Sequence, residues 1–255
     1  MTLHIPKPTR GTATAKTTET QVTLQSATES EVQVLINKHF EYSRLIEDIT
    51  EVQALASLRK FYTGDAGYAL ARQVDTDLIR LGRGVNGGNG TAAYNTAVIG
   101  SNGTTAYTSG TPNAAALTDA AIRAVIQKLD DADVPMDGRV LVIPPVARNT
   151  LMGLARFTEQ SFTGENAGAN TIRNGQIGDV YGVKVFVSTN CDTATGGARI
   201  AMMFHKDAFV LAEQMGVRSQ TQYKQEFLGN LYTADTLYGV KTYRPDSGFV
   251  LVVNG

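Results

Sequence analysis

The run Gly82-Arg-Gly-Val-Asn-Gly87 has the spacing G-x-G-x-x-G. That spacing cradles a dinucleotide pyrophosphate when a strand delivers the turn and a helix N-terminus receives the phosphate. Here a helical pattern precedes it and more glycine follows, so it reads as a loop. Ser57-Leu-Arg-Lys60 has the S-x-x-K spacing of serine β-lactamase nucleophiles, but the S-D-N and K-T-G motifs that this chemistry also needs do not occur. Glu47-Asp48 and Asp130-Asp131 are adjacent acidic pairs. Adjacent side chains on a helix point apart, so they cannot converge on one bond as an acid and a base must. His4, His39 and His205 are far apart and Cys191 is alone, so no set has metal-ligand spacing. His205 reads as a surface or capping residue. Tyr62, Tyr68, Tyr94 and Tyr107 could stack on bases, but without an arginine-rich stripe they read as core or interface residues. The expectation is therefore no catalytic residue, no cofactor and no metal.

The elements around these residues say more. With 255 residues and 27.3 kDa, the chain fits one large domain or two small ones. Charged residues make up 18%, below the usual quarter. Partners covering part of the surface would explain that, and so would a surface rich in Thr, Asn and Gln. A net charge of -1 gives no field to draw the chain onto nucleic acid or an anionic membrane. The start, MTLHIPKPTR, lacks the apolar run of a signal peptide.

Residues 9–31 are rich in Thr and Ser and are expected to form two long polar strands with a turn near Ala27–Ser30. Val32, Val34 and Ile36 then share one face. A hairpin with so little to bury is marginal alone, and the expectation is that it lies on a neighbour. Thr50-Glu-Val-Gln53 matches a capping box. It opens a helix expected over 51–81, about 45 Å if continuous, with Gly64 and Gly67 as candidate breaks. The glycine-rich stretch 82–117 is expected to be a flexible loop or a loose hairpin. Thr118 caps a second helix, whose apolar face is Ile122, Val125, Ile126 and Leu129. A buried strand over Arg139–Ile143 and a helix opened by Pro145 follow. Strands are expected at 183–187, 199–204, 217–225, 237–243 and 249–253, with a short helix over 206–214. The class is α+β with mostly antiparallel strands.

Taken in order, four segments resemble the major capsid proteins of tailed double-stranded DNA phages, particularly short-tailed podoviruses. They are Ile36-Asn-Lys-His-Phe-Glu-Tyr-Ser-Arg-Leu-Ile-Glu-Asp-Ile49, the stretch from Leu129 through Val-Pro-Met-Asp-Gly to Pro145, Asn174-Gly-Gln-Ile-Gly-Asp-Val-Tyr-Gly-Val-Lys-Val-Phe-Val-Ser188, and Phe204–Ala212 followed by Tyr238-Gly-Val-Lys-Thr-Tyr-Arg-Pro245. The resemblance runs from about residue 4 to 250.

It implies the tailed-phage capsid fold. Residues 1–36 would be an extended arm lying over an adjacent subunit, and 37–134 a peripheral domain with a spine helix and the glycine-rich loop. Residues 135–215 would be an axial domain, and 216–255 strands returning to the peripheral domain. Arg10, Lys16, Glu19 and Glu29 on the arm are the expected inter-subunit contacts. Family members normally carry a further N-terminal arm before the first strand, and this chain starts at Met1-Thr-Leu-His-Ile-Pro6, already inside that strand. The implied partners are copies of the chain in hexamers and pentamers, scaffolding and portal proteins, and encapsidated DNA bound without sequence specificity. No membrane is expected. The location would be the virion, with assembly in the bacterial cytoplasm. The rival readings are an encapsulin-like nanocompartment shell and an undetected enzyme.

Overall fold

In the computed structural model, residues 1–8, 11–22, 24, 30–53, 58–154 and 179–255 are described. The continuous apolar run Ile200-Ala-Met-Met-Phe204 makes a strand that must be covered on both faces. It lies in β8 (Arg199–His205), near the middle of a six-stranded sheet. The other strands are β4 (Val98–Ile99), β5 (Arg139–Ile143), β6 (Asp179–Val180), β7 (Val183–Val187) and β11 (Gly248–Val253), in the order β4-β11-β8-β5-β7-β6. Pairing is antiparallel except for β4 with β11 and β5 with β7.

On one face lie α3 (Asp119–Asp131) and α4 (Pro145–Met152). Ile122, Val125 and Leu129 of α3 and Leu151 of α4 pack on Leu141, Met203 and Leu251, as the helical spacing requires. Thr118 accepts from the Ala121 N–H at 3.3 Å and donates to the Ser101 carbonyl at 2.6 Å. Thr118→Ala removes both bonds and should cost about 1–2 kcal/mol, read as a lower urea midpoint at unchanged slope.

The other face corrects an expectation. Residues 82–117 are a packed layer, not a flexible loop: Val85, Tyr94, Ala97, Ile99 and Tyr107 are buried against Ile200, Met202, Val250 and Val252. Their apolar residues follow no period, so composition hid them, and glycine permits the close approach. A Cβ on Gly100 would stand 2.8 Å from both the Ala115 carbonyl oxygen and Val253 Cγ1.

A second, three-stranded sheet has the order β3-β10-β9, formed by β3 (Lys38–Glu47), β9 (Phe209–Lys224) and β10 (Gly229–Thr242). The helix expected over 206–214 is a 3-10 turn at Lys206–Ala208 followed directly by β9. Phe209-Val-Leu-Ala212 suits either structure in isolation. Pairing with β10, from Phe209 opposite Thr242 to Ala212 opposite Gly239, decides for strand.

One face of this sheet is covered by α2 (Leu58–Arg80), whose Ala66 and Leu70 pack on Tyr232, Ala234, Phe40 and Tyr42. A shorter helix, α1 (Asp48–Gln53), precedes it and begins before Thr50, which is therefore not the N-cap. Ala54–Ser57, including Ser57 of the S-x-x-K spacing, lie outside the described residues. Gly64 and Gly67 do not break α2, and a Cβ on either would meet nothing within 4 Å. Gly64→Ala and Gly67→Ala should each stabilise the subunit by about 0.5–1 kcal/mol, seen as a raised melting temperature.

A two-stranded sheet, β1 (Thr2–Lys7) with β2 (Ser30–Leu35), pairs with no strand of either. It pairs antiparallel from Thr2 opposite Leu35 to Lys7 opposite Ser30. The two long strands expected within 9–31 are not there: described residues 11–22 and 24 carry no strand, only a turn at Thr18-Glu19. Threonine favours extended backbone, but this stretch has no apolar face to hold a ladder against anything. Part of the expected turn, residues 27–29, lies outside the described residues, as do residues 174–178 of the capsid-like segment that runs to Ser188. Strand β9 continues through residues 215 and 216, and α3 packs on the sheet that contains β5.

Candidate subunit interface

The surfaces that could bind a neighbour are set by three internal ion clusters that fix the body. In the first, Asp77 of α2 is 5% exposed and takes Lys38 Nζ of β3 at 2.9 Å and the Tyr238 hydroxyl of β10 at 2.7 Å. Burial, and then the bond to Asp77, push the Tyr238 phenol above its ordinary value. This ties the spine helix to two strands. In the second, Asp192 accepts both Arg83 Nε at 2.6 Å and Nη2 at 3.0 Å, and the Tyr94 hydroxyl at 2.7 Å. Burial works to raise the Asp192 carboxyl. The bonds from Arg83, Tyr94 and the Thr193 N–H outweigh it, so the carboxyl lies below its ordinary value. Arg83 follows α2 and Asp192 follows β7, so this cluster pins the end of the spine to the large sheet. In the third, buried Arg139 binds Asp130 and the carbonyls of Val134 and Pro135, closing the turn after α3.

The motifs that could have carried chemistry are absorbed by this framework. Gly82–Gly87 begins in the 3-10 turn Leu81–Gly84 that follows α2, not at a strand-to-helix junction, and its Arg83 is engaged by Asp192. His205 is 3% exposed, and its Nδ1 accepts from the Asp207 N–H at 3.3 Å, the capping role. Burial pushes the Cys191 thiol up to about 12, which leaves it an inert core residue. Tyr94 and Tyr107 are core residues, whereas Tyr68 is exposed on α2. Among the described residues no group of three His, Cys, Asp or Glu could hold a metal, and no helix is long and apolar enough to cross a membrane.

What remains outside is an unusual set of apolar side chains. Phe61 and Tyr68, seven residues apart on one face of α2, are 66% and 65% exposed. Ile49 and Val52 of α1 are exposed, and so are Phe227 and Leu228 at the β9–β10 turn. The Asp48 N–H donates to the Leu228 carbonyl at 3.0 Å, so these two sets share one end of the molecule. The far face of the three-stranded sheet is polar, with Arg218 and His39 holding the Asp235 carboxyl down to about 2.

On the arm, Lys16 and Glu19 are exposed, and neither forms an ion pair among the described residues. Arg10 and Glu29 lie outside the described residues. Sequence reading missed Val22 and Leu24, which are 64% and 91% exposed. An apolar residue in a threonine-rich stretch with no apolar partner nearby was the available signal.

This arrangement is the fold of phage capsid shells. The chain superposes on a chain of the Mycobacterium phage Che8 structure with a TM-score of 0.71 at 22% identity, covering 99% of this chain and 84% of that one. For the capsid of cyanophage P-SCSP1u the TM-score is 0.74 at 19% identity, covering 100% and 84%. For the capsid of a native GTA particle it is 0.62 at 11% identity, covering 100% and 85%. No curated protein matches the sequence. The family model described as phage capsid protein matches residues 2–235, so the chain belongs to the phage capsid protein family. It is a major capsid protein, a structural protein of the virion.

Proposed function

We propose that this major capsid protein closes into hexamers and pentamers that tile an icosahedral head around double-stranded DNA. One observation carries the reading: every described residue from 11 to 24 is exposed. Ordering a residue's backbone costs roughly 1–2 kcal/mol, and a segment that buries nothing of its own recovers that only against a neighbour. Residues 1–36 act as that arm. The spine helix and three-stranded sheet form the peripheral unit within 37–134 and the returning strands of 216–255. The six-stranded sheet, centred on 135–215, forms the axial unit. Arg10, Lys16, Glu19 and Glu29 supply polar contacts along the arm.

Head-to-tail contacts between identical chains close into rings when the rotation permits. A net charge of -1 suits a container that must not grip DNA along its length. Assembly takes place in the bacterial cytoplasm with scaffolding and portal proteins, and the chain itself performs no catalysis. Particles isolated from a lysate of the producing bacterium should hold nuclease-protected double-stranded DNA. DNA-free particles filled with one enzyme would overturn this in favour of a nanocompartment.

A further inference from the structure

The arm meets the body at a small number of points. The backbone of Leu35 and Ile36 crosses β10 at Gly239. A Cβ there would stand 3.0 Å from Ile36 Cα and closer still to the Leu35 carbonyl oxygen. Those neighbours are backbone, which cannot swing aside as a side chain would. On the other strand of the arm, the Tyr243 hydroxyl donates to the Pro6 carbonyl at 3.0 Å. The Ile36 N–H closes the root by donating to the Met1 carbonyl at 3.0 Å. Gly239 and Tyr243 lie near and just past the end of β10, so one strand end holds both strands of the arm.

Beneath Lys7 and Pro8, at the opposite end of β1, a cavity of about 310 Å³ separates the arm from Val134, His205, Arg244 and Ser247. Arg244 Nε is buried there with no hydrogen-bond partner among the described residues. The strand β1 is therefore held at both ends, at Met1 through Ile36 and at Pro6 through Tyr243, and the clearance lies just beyond Pro6.

We propose that Gly239 and Tyr243 form a pivot that sets the take-off direction of the arm, and with it the angle at which neighbouring subunits meet. This rests on the shell reading above. In a closed shell, five-fold and six-fold neighbours stand at different angles. A pivot beside a cavity lets one sequence serve both, because the arm tilts without unpacking either sheet. Both are positioning residues: they act through the arm.

The test compares the full chain with Tyr243→Phe and Gly239→Ala, reading melting temperature and shell diameter by electron microscopy. Tyr243→Phe removes one hydroxyl and leaves the ring, so the subunit should melt as the wild type does. Its shells should lose the single wild-type diameter and give mixed sizes, open sheets or no closure. Gly239→Ala should do the same more severely. If it fails to fold, Tyr243→Phe decides alone. Wild-type diameters from the variants that fold overturn the pivot and leave the shell reading standing, and so does a lowered melting temperature with unchanged diameter. A wild-type chain that never assembles removes both.

Discussion

Asp192→Ala should lower the stability of the subunit by about 3 kcal/mol, within the range for breaking a buried ion pair by removing one partner. The substitution strands the donors of two side chains. Arg83 loses two charge-assisted bonds and Tyr94, which is fully buried, loses the acceptor of its hydroxyl. The low end of the range applies because the Arg83 side chain is 34% exposed and recovers some solvation. Against a typical total of roughly 5–15 kcal/mol this is a large loss. Asn is only a partial remedy, since its oxygen still accepts at one position while its NH2 faces the donors at the other and the charge is lost.

The effect carries a pH signature. The folded carboxyl is depressed, so its stabilisation is full above the unfolded value, near 3.9, and is lost as pH falls through the folded value. Urea unfolding at pH 7 should separate wild type from Asp192→Ala, and the gap should close progressively below about pH 4. A gap under about 1 kcal/mol at pH 7, or one that stays constant to pH 2, would contradict the role given to this cluster.

Removing residues 12–22 should leave the subunit folded and abolish the shell. Every one of those residues is exposed, so their loss should alter subunit stability by no more than the ~0.5 kcal/mol usual for surface changes. The paired strands β1 and β2 are untouched by the deletion. In the shell the same segment brings Val22 and positions Leu24, and fully burying each is worth about 1.5–3 kcal/mol. Losing roughly 3–6 kcal/mol per contact raises the concentration needed for assembly by more than about 100-fold. Sedimentation of the shortened chain should show subunits or capsomers where the full chain gives shells. Shells at undiminished yield would show that the arm is not the tie between neighbours.

Much of the six-stranded sheet and its helices was legible in the sequence. Ile122, Val125 and Leu129 recur at the helical period, and the structure places α3 with that face on the large sheet. The run from Ile200 to Phe204 announced a strand buried on both sides. Pro145 marked the first turn of α4. Where composition stood in for period, reading failed. Glycine over 82–117 signalled freedom, but the glycines there admit backbone close to a neighbouring strand, and the irregularly spaced Tyr94, Ile99 and Tyr107 fill a core. Phe209–Ala212 suits helix and strand alike, and the choice was made by a partner strand almost thirty residues on.

The ion clusters had no local signal at all. Arg83 and Asp192 are separated by 109 positions, and Asp77 and Tyr238 by 161, so only the fold brings them together. The arm lay between these cases. Its polarity and its lack of anything to bury were plain, whereas its strands form nearer the chain start and beyond residue 29, where Ile5, Val32 and Val34 supply some apolar surface.

The most direct measurement is electron microscopy of the expressed full chain, with particle mass from sedimentation. Closed shells of one diameter, resolved into six-fold and five-fold capsomers in which residues 11–24 cross onto the adjacent subunit, are the predicted result. A uniform monomer, or rings in which that segment stays on its own chain, would contradict the account.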